Sequence, residues 1–299
     1  MKIIDVHVHA WDSEPKPKEI LAKFEECGVY GACIYSRPPK GFSNVETAAC
    51  PFEERMENLK GWTENYSERL FPVLWIHPYE DHVFEKIEKA ALNGVTAFKM
   101  ICTNYYVYEE HVMNVLRAIA ETGKPVFFHS GILWGEGASS RYNRPLHWES
   151  LIDIKKLRFS LGHCSWPWHD ECIAVYGKFL NGVANDENAA EMFFDLTPGT
   201  PRIYREELLT KLFTVGYDVP DNIMFGTDAT AHCYNSGEWV KDWLRIDDEI
   251  YAKLGVTDEI KSKIYAENVL RFLGKTPKTF THLRPATDVA NLWSLKTKR

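Results

Sequence analysis

The 299-residue sequence lacks several features that mark whole classes of protein. No apolar run approaches the length needed to cross a bilayer, and the N-terminus has neither the apolar core nor the cleavage site of a signal peptide. The seven cysteines are odd in number, scattered and without a Cys-x-x-Cys pair, which favours reduced thiols over disulfides or a structural zinc motif. These absences predict a cytoplasmic protein that does not associate with membranes.

Basic residues are also fewer than acidic ones. Lysine and arginine total 35 against 42 acidic residues, so the formal net charge is −7, and no stretch of the chain concentrates basic residues. A protein that binds nucleic acid or an anionic membrane needs a basic surface. The composition therefore argues against both partners and favours a small-molecule substrate.

The order of apolar segments predicts the fold. No Gly-x-Gly-x-x-Gly follows an early strand, which argues against an open dinucleotide-binding sheet. Instead, eight apolar strands alternate with helical patterns, an arrangement typical of a (β/α)₈ TIM barrel. The predicted strands are the opening run 2–11, then 29–35, 70–77, 95–101, 125–129, 158–163, 192–196 and 222–228. The predicted helices are 18–26, 53–69, 83–92, 109–122, 148–157, 170–180, 204–215 and a closing group in 257–273. We expect one domain over 1–274 and a tail, 275–299, that packs on the barrel or at an oligomer contact.

The first strand carries a possible metal site. In Asp5-Val6-His7-Val8-His9, alternate residues of an extended strand share a side, so His7 and His9 project together while Val6 and Val8 face the other way. Two imidazoles on one face can hold one cation. A single His-x-His is equally compatible with one core and one surface histidine, so the rest of the chain has to decide.

Polar residues recur where the other predicted strands end. Barrel enzymes build their sites at the C-terminal ends of the strands, so residues far apart in sequence converge there. Imidazoles and a carboxylate suit a borderline cation such as zinc, which makes a bound water acidic enough to react near neutral pH. Asp228 would then bind the metal and orient or deprotonate the water, and His163 would stabilise developing charge or protonate a leaving group. The residues in question are His7, His9, His77, Lys99, His129, His163 and Asp228.

These segments resemble a known family when taken together and in order. His7-Val8-His9, Lys99, Phe-Phe-His129-Ser-Gly, Leu-Gly-His163-Cys-Ser-Trp-Pro-Trp and Met-Phe-Gly-Thr-Asp228 are similar to the motifs of the metal-dependent amidohydrolase superfamily. Within it they resemble the amidohydrolase-related branch (amidohydrolase 2), which includes lactonases and enzymes like aminocarboxymuconate semialdehyde decarboxylase. The resemblance spans roughly residues 2 to 274.

The resemblance implies a ligand set. His7, His9, His129 and Asp228 match the four ligands of members with one metal, and His163 matches a histidine that is catalytic there and a second-metal ligand in two-metal members. Lys99 matches a lysine that is carbamylated and bridges both ions in some two-metal members. The alternatives for Lys99 are an ammonium that binds a substrate carboxylate and a buried ion-pair partner. The motifs around His129 and His163 favour one divalent ion, predicted to be zinc, over a two-metal site with carbamylated Lys99.

The predicted function is hydrolysis of an ester, lactone or amide bond in a small organic molecule by a metal-activated water. Non-oxidative decarboxylation of an aromatic or unsaturated carboxylic acid at the same metal site is the alternative, and a non-enzymatic metal-binding barrel is a third. For His77, a place in the cavity wall and a structural hydrogen bond both remain open. Family analogy also suggests a homo-oligomer.

Overall fold

The computed structural model of the chain describes residues 1–10, 16–39, 49–135, 137–199 and 201–276. All but the first two residues of the predicted tail, 275–299, lie outside these ranges. Nine parallel strands and nine α-helices are found within them. The strands are β1 (Ile4–His9), β2 (Gly31–Tyr35), β3 (Leu70–Trp75), β4 (Ala97–Met100), β5 (Val126–Phe128), β6 (Arg158–Leu161), β7 (Glu191–Asp195), β8 (Ile223–Met224) and β9 (Ala229–Thr230). The helices are α1 (Pro17–Glu26), α2 (Phe52–Thr63), α3 (Val83–Leu92), α4 (Glu110–Glu121), α5 (His169–Asn185), α6 (Ile203–Thr214), α7 (Glu238–Leu254), α8 (Asp258–Ser262) and α9 (Asn268–Phe272).

The sheet follows the chain from one strand to the next. Its order is β8-β7-β6-β5-β4-β3-β2-β1-β9, with every neighbouring pair parallel. Because β8 and β9 are consecutive in the chain, the two edges of this sheet are separated by only the four residues 225–228. The backbone N–H of Val6 donates to the carbonyl of Phe225 at 3.0 Å, so β1 also contacts that link. The fold is TIM-barrel-like α/β, in agreement with the predicted class.

Two apolar layers hold the strands in place. The larger layer lies between the strands and the helices and contains the buried apolar side chains of most helices. The second lies on the enclosed side of the strands and is closed by the C-terminal helix α9, where Phe272 contacts the rings of Phe127 and Phe193. Parallel strands covered on both faces have to be apolar on both. This explains the near-continuous apolar runs in the sequence.

An irregularity in β1 changes which side chains face inward. Asp5 pairs with Ala32 and Val8 with Ile34, so three steps along β1 match two along β2. Such a bulge lets neighbouring residues share a face. Val6 accordingly packs with Ile4 in the enclosed layer, whereas Val8 packs in the outer one. The prediction that Val6 faces away from the histidine side was therefore wrong.

Three further elements differ from the sequence prediction. The strand predicted over 222–228 is found only at Ile223–Met224, and Asp228 lies in the link between β8 and β9. The helix predicted over 148–157 is a 3₁₀ helix, Pro145–Asp153, which Pro145 begins. The 17-residue helix α7 was not predicted at all, although Gly237 and Gly255 mark its two ends in left-handed conformations. No helix in the described ranges has both the length and the apolar character to span a membrane.

Stability should fall in mild acid because of a histidine outside the candidate site. His169, at the start of α5, is 5% exposed, and its Nε2 has no hydrogen-bond partner among the described residues. Burial, with a further contribution from Lys211, lowers the pKa of His169 to about 4. In the unfolded chain His169 is therefore protonated as the pH falls through about 6.5, whereas in the folded protein it stays neutral until about pH 4. We expect this residue to cost up to about 3 kcal/mol of unfolding free energy as the pH falls through that window.

Urea unfolding of the wild type and of His169→Leu at pH 7 and pH 4.5 measures this cost. The variant should lose less stability between the two pH values than the wild type. His82→Gln is the matched control, since the His82 side chain is 79% exposed, and it should leave the pH dependence unchanged. Equal losses in His169→Leu and wild type would show that His169 is not the group responsible.

Candidate metal centre

Three side chains meet at the C-terminal end of β1. The Oδ1 atom of Asp228 lies 3.4 Å from Nε2 of His7 and 3.2 Å from Nε2 of His9. One potential ligand atom from each residue lies within 4.8 Å of the other two. Pairing of Val8 with Ala229 and of His9 with Thr230 brings the link that carries Asp228 against β1. Two imidazoles and one carboxylate thus converge with a spacing that suits a single cation.

Asp5 ties these two segments together. This fully buried carboxylate accepts hydrogen bonds from the backbone N–H of His7 at 2.9 Å and of Thr227 at 3.0 Å. The hydroxyls of Thr227 and Tyr234 also donate to it. Burial raises the pKa of Asp5 to about 6, although all four hydrogen bonds oppose the shift. Asp5 therefore fixes the backbone beside one histidine and beside Asp228 at the same time.

A second aspartate, Asp195, holds the ring of His7. Its Oδ2 lies 3.3 Å from Nδ1 of His7, while its Oδ1 accepts hydrogen bonds from the backbone N–H of Thr197 at 2.8 Å and from the Thr197 hydroxyl. A proton on Nδ1 directed at a carboxylate leaves the Nε2 lone pair available for a metal. Burial, reinforced by the charge of Lys99, lowers the pKa of His7 to about 4, so the ring is neutral at pH 7.

Asp195 was not singled out in the sequence. The signal was nevertheless present, because Met-Phe-Phe-Asp195 is an apolar strand that ends in a polar residue, like the other strands that were noted. Burial opposes ionisation of this carboxyl, but the contact with His7 and the hydrogen bonds from Thr197 keep its pKa below the usual value. The burial penalty on Asp228 is likewise outweighed, by His7 and His9, and its pKa lies well below the usual range.

His163 lies beside the three converging side chains. Its ring centre is 6.1 Å from that of His7, and its Nδ1 hydrogen-bonds with the carbonyl of Thr197 at 3.1 Å. A carbonyl only accepts, so Nδ1 carries a proton and Nε2 is the nitrogen available to a substrate. Gly199 makes room for this ring, because a Cβ there would lie 2.5 Å from Nδ1.

The structure does not bring His129 into the group of three. Its ring lies 4.9 Å from that of His163 in an edge-to-face arrangement, and its Nε2 hydrogen-bonds with the carbonyl of Ile132 at 3.2 Å. Burial and the charges of His163 and Lys99 lower its pKa well below the usual value. His129 is therefore a neutral neighbour of the site, and its predicted role as a ligand stays a prediction.

The backbone is unusual at both predicted catalytic residues. His163, Cys164 and Ser165 have φ values of 59°, 42° and 59°, and Asp228 has 55°. Left-handed conformations are costly for residues with a Cβ, about 1–3 kcal/mol each, and are held only where the surroundings enforce them. Such strain is concentrated at functional sites in other proteins. Here it is present at the two residues that the sequence singled out for catalysis, and also at two residues outside the site.

Lys99 lies on the enclosed side of β4 and is 1% exposed. Its Nζ is 5.3 Å from the centre of the Tyr35 ring, which stacks on the His7 ring at 4.4 Å. Burial lowers the pKa of Lys99 to about 8, although Asp195 and Asp228 attract the ammonium. Lys99 thus joins the same group of strand-end residues as the histidines.

His77 lies outside the group. It follows the end of β3, and its Nδ1 accepts the backbone N–H of Tyr79 at 3.2 Å while its ring packs edge-on against Tyr105. The structural hydrogen bond, one of the two roles left open for this residue, is therefore present.

Solved structures with the same fold are distant in sequence. A probable 2-pyrone-4,6-dicarboxylic acid hydrolase from Acinetobacter baumannii, with citric acid bound, matches with a TM-score of 0.57 at 11% identity, over 92% of this chain and 100% of that one. The 5-carboxyvanillate decarboxylase of Sphingomonas paucimobilis matches with a TM-score of 0.60 at 12% identity, over 91% of this chain and 99% of that one. A D-to-N mutant of 5-carboxyvanillate decarboxylase from Novosphingobium aromaticivorans has manganese and a nitrobenzoic acid bound. It matches with a TM-score of 0.58 at 13% identity, over 91% of this chain and 96% of that one. At these identities the likeness shows the fold alone.

No curated protein sequence matches the chain. A family model does: the model of the amidohydrolase family, in the Amidohydro_2 form, matches residues 4–275. That range contains every strand and helix described above, together with all seven strand-end residues predicted from the sequence. It confirms the resemblance drawn from the histidine, lysine and aspartate motifs. The chain belongs to the amidohydrolase family, in its amidohydrolase 2 branch.

Proposed function

We propose that this protein is a metal-dependent hydrolase that cleaves an ester, lactone or amide bond of a small organic substrate. One observation supports the proposal most directly: Nε2 of His7, Nε2 of His9 and Oδ1 of Asp228 converge at the C-terminal end of β1. The Asp228 side chain is 33% exposed, so this group of ligands is open to water and substrate on one side. An open position distinguishes catalytic metal sites from structural ones.

The residues fit one divalent cation. His7, His9 and Asp228 would hold it, and the sequence prediction adds His129. Asp195 supports His7 from behind, in the carboxylate–histidine arrangement that accompanies metal ligands. The bound ion would supply Lewis acidity and lower the pKa of a water molecule. The donor set suits zinc, which we propose as the metal, although a structural neighbour was solved with manganese.

The protein's own groups divide the remaining work. Asp228 is ionised at neutral pH, so its carboxylate can orient a water and accept its proton. His163, with Nδ1 hydrogen-bonded to the Thr197 carbonyl, directs Nε2 to the substrate side. In its protonated form that nitrogen would stabilise an oxyanion or protonate a leaving group.

Decarboxylation of an aromatic or unsaturated acid is the second candidate. The structural neighbours that are named decarboxylases support it, together with the buried ammonium of Lys99 beside the site. In that reaction His163 would deliver a proton to carbon while the carboxyl group leaves as carbon dioxide. The same residues would hold the same cation.

We also propose that β8 and β9 are two parts of one interrupted eighth strand that closes a (β/α)₈ barrel. The hydrogen bond from Val6 to Phe225 and the pairing of β1 with β9 support closure at this point.

Two assays on the zinc-loaded protein decide between the reactions. Acid release from a panel of lactones and 2-pyrone carboxylates measures hydrolysis, and carbon dioxide release from 5-carboxyvanillate and 2,6-dihydroxybenzoate measures decarboxylation. We expect hydrolysis, lost in His9→Ala and after chelation. Carbon dioxide release without lactone cleavage would instead establish the second candidate. Absence of both activities in fully loaded protein would contradict an enzymatic role for these substrate classes.

A further inference from the structure

Lys99 is a buried lysine whose ammonium has no charged partner in the described part of the chain. It lies on β4 between Trp75 of β3 and Phe127 of β5, and it is 1% exposed. Among the described residues it makes no hydrogen bond and no ion pair within 4.0 Å, and its ammonium lies over the face of the Tyr35 ring. A buried charge is destabilising unless it is paired, and contact with one aromatic face offsets only part of that cost.

The nearby carboxylates are already engaged by other groups. Asp195 and Asp228 attract Lys99 through space, yet Asp195 accepts hydrogen bonds from Thr197 and contacts His7, and Asp228 lies against both imidazoles. A cation held by Asp228 would engage that carboxylate further. Lys99 therefore remains the one cationic side chain in this group that lacks an anion of its own.

The surroundings of Lys99 would strengthen binding of an anion. Trp75 and Ile101 form a small apolar cluster with Leu133, and Tyr35 is fully buried against His7. Apolar walls lower the local dielectric constant, so a charge pair formed there interacts more strongly than one at the surface. Through its charge, Lys99 also lowers the pKa of both His7 and His129.

We propose that the Lys99 ammonium binds a carboxylate of the substrate, so the substrates are small organic acids whose carboxylate is distinct from the group that reacts. This inference rests on the proposed function, because it places the acid next to the cation site. Lys99 would orient the substrate, with the reacting group directed to Asp228 and His163.

Binding of matched acids and amides tests the proposal. Isophthalate and benzoate are titrated by calorimetry into zinc-loaded wild type, Lys99→Met and Lys99→Arg, beside isophthalamide and benzamide, which have similar shapes and no charge. We expect wild type to bind the better acid at least tenfold more tightly than its amide, and Lys99→Met to lose that preference. Lys99→Arg keeps the charge and should retain part of it. Lys124→Met, which removes a half-buried lysine just before β5 begins, at the end of that strand away from His129, is the control and should match wild type.

A stability measurement guards against a misfolded variant. Removing an unpartnered buried charge should stabilise the protein, so Lys99→Met should raise the urea midpoint in the absence of ligand. A lower midpoint would show that Lys99 has a partner in the folded protein and would overturn the proposal.

Three further outcomes would also overturn it. One is equal binding of acids by Lys99→Met and wild type, and another is the absence of any tenfold preference for an acid in wild type. The third is a carbamate carbon signal that appears with ¹³C-bicarbonate in wild type and is missing in Lys99→Met, because Lys99 would then be an anion. Metal content is measured on the same samples. A protein that binds no metal but still prefers acids through Lys99 would contradict the proposed function and leave the carboxylate site standing.

Discussion

Asp228→Asn should lose at least about a hundredfold in zinc affinity and nearly all turnover. Asp228 supplies the only carboxylate among the three converging ligand atoms, and its Oδ1 lies within 3.4 Å of both imidazoles. Asparagine keeps the shape but removes the negative charge that balances the cation. It also removes the base expected to accept a proton from water. Effects of 10–100-fold are usual even for residues one shell further from a metal, so a direct ligand should exceed them.

Competition with a chelating dye measures the affinity, and the assays of acid and carbon dioxide release measure turnover. Asp153→Asn makes the same chemical change at an exposed position and should alter neither quantity. Wild-type zinc affinity in Asp228→Asn would exclude Asp228 from the ligand set.

The second large effect concerns stability rather than chemistry. Asp247→Asn should lower the unfolding free energy by about 3–5 kcal/mol, because it leaves a buried guanidinium without its counter-ion. Arg205 of α6 donates to both oxygens of Asp247 of α7 at 2.7 Å, and the two residues are 2% and 0% exposed. Burial alone would lower the pKa of Arg205, but Asp247 raises it overall.

This pair also supports the candidate site. Arg205 donates a further hydrogen bond to the carbonyl of Leu196, the residue between Asp195 and Thr197. Urea unfolding at pH 7 measures the loss. Glu249→Gln breaks the exposed pair with Arg245 on α7 and should cost less than about 1 kcal/mol. A loss in Asp247→Asn no larger than in Glu249→Gln would show that the pair contributes little.

The sequence was most informative where a strand ends. An apolar run followed by histidine or aspartate indicates both a strand and a candidate site residue at its end, and this pattern points to His7, His9, His163 and Asp228. Asp195 ends its strand in the same way, but the sequence alone does not show that its carboxylate contacts His7. The likeness to a family then supplied what spacing alone does not, a ligand set with His129 in it.

Other features depend on contacts that a pattern does not contain. The bulge that turns Val6 inward arises from pairing between β1 and β2. The end of β8 before Asp228 coincides with the hydrogen bonds between Asp5 and Thr227 and with the left-handed backbone of Asp228. The position of His129 beside His163, with Nε2 on the Ile132 carbonyl, is likewise a matter of side-chain packing. Local propensity does not specify any of these.

We propose that His7, His9 and Asp228 form a single-cation site. The most direct test is the zinc content per chain, by elemental analysis, of protein reconstituted with zinc and passed through a desalting column. We predict one equivalent in wild type and less than about a tenth of that in His7→Ala and His9→Ala, with both variants folded. Wild type without bound metal, wild type with two equivalents, or one equivalent retained in both alanine variants would contradict it.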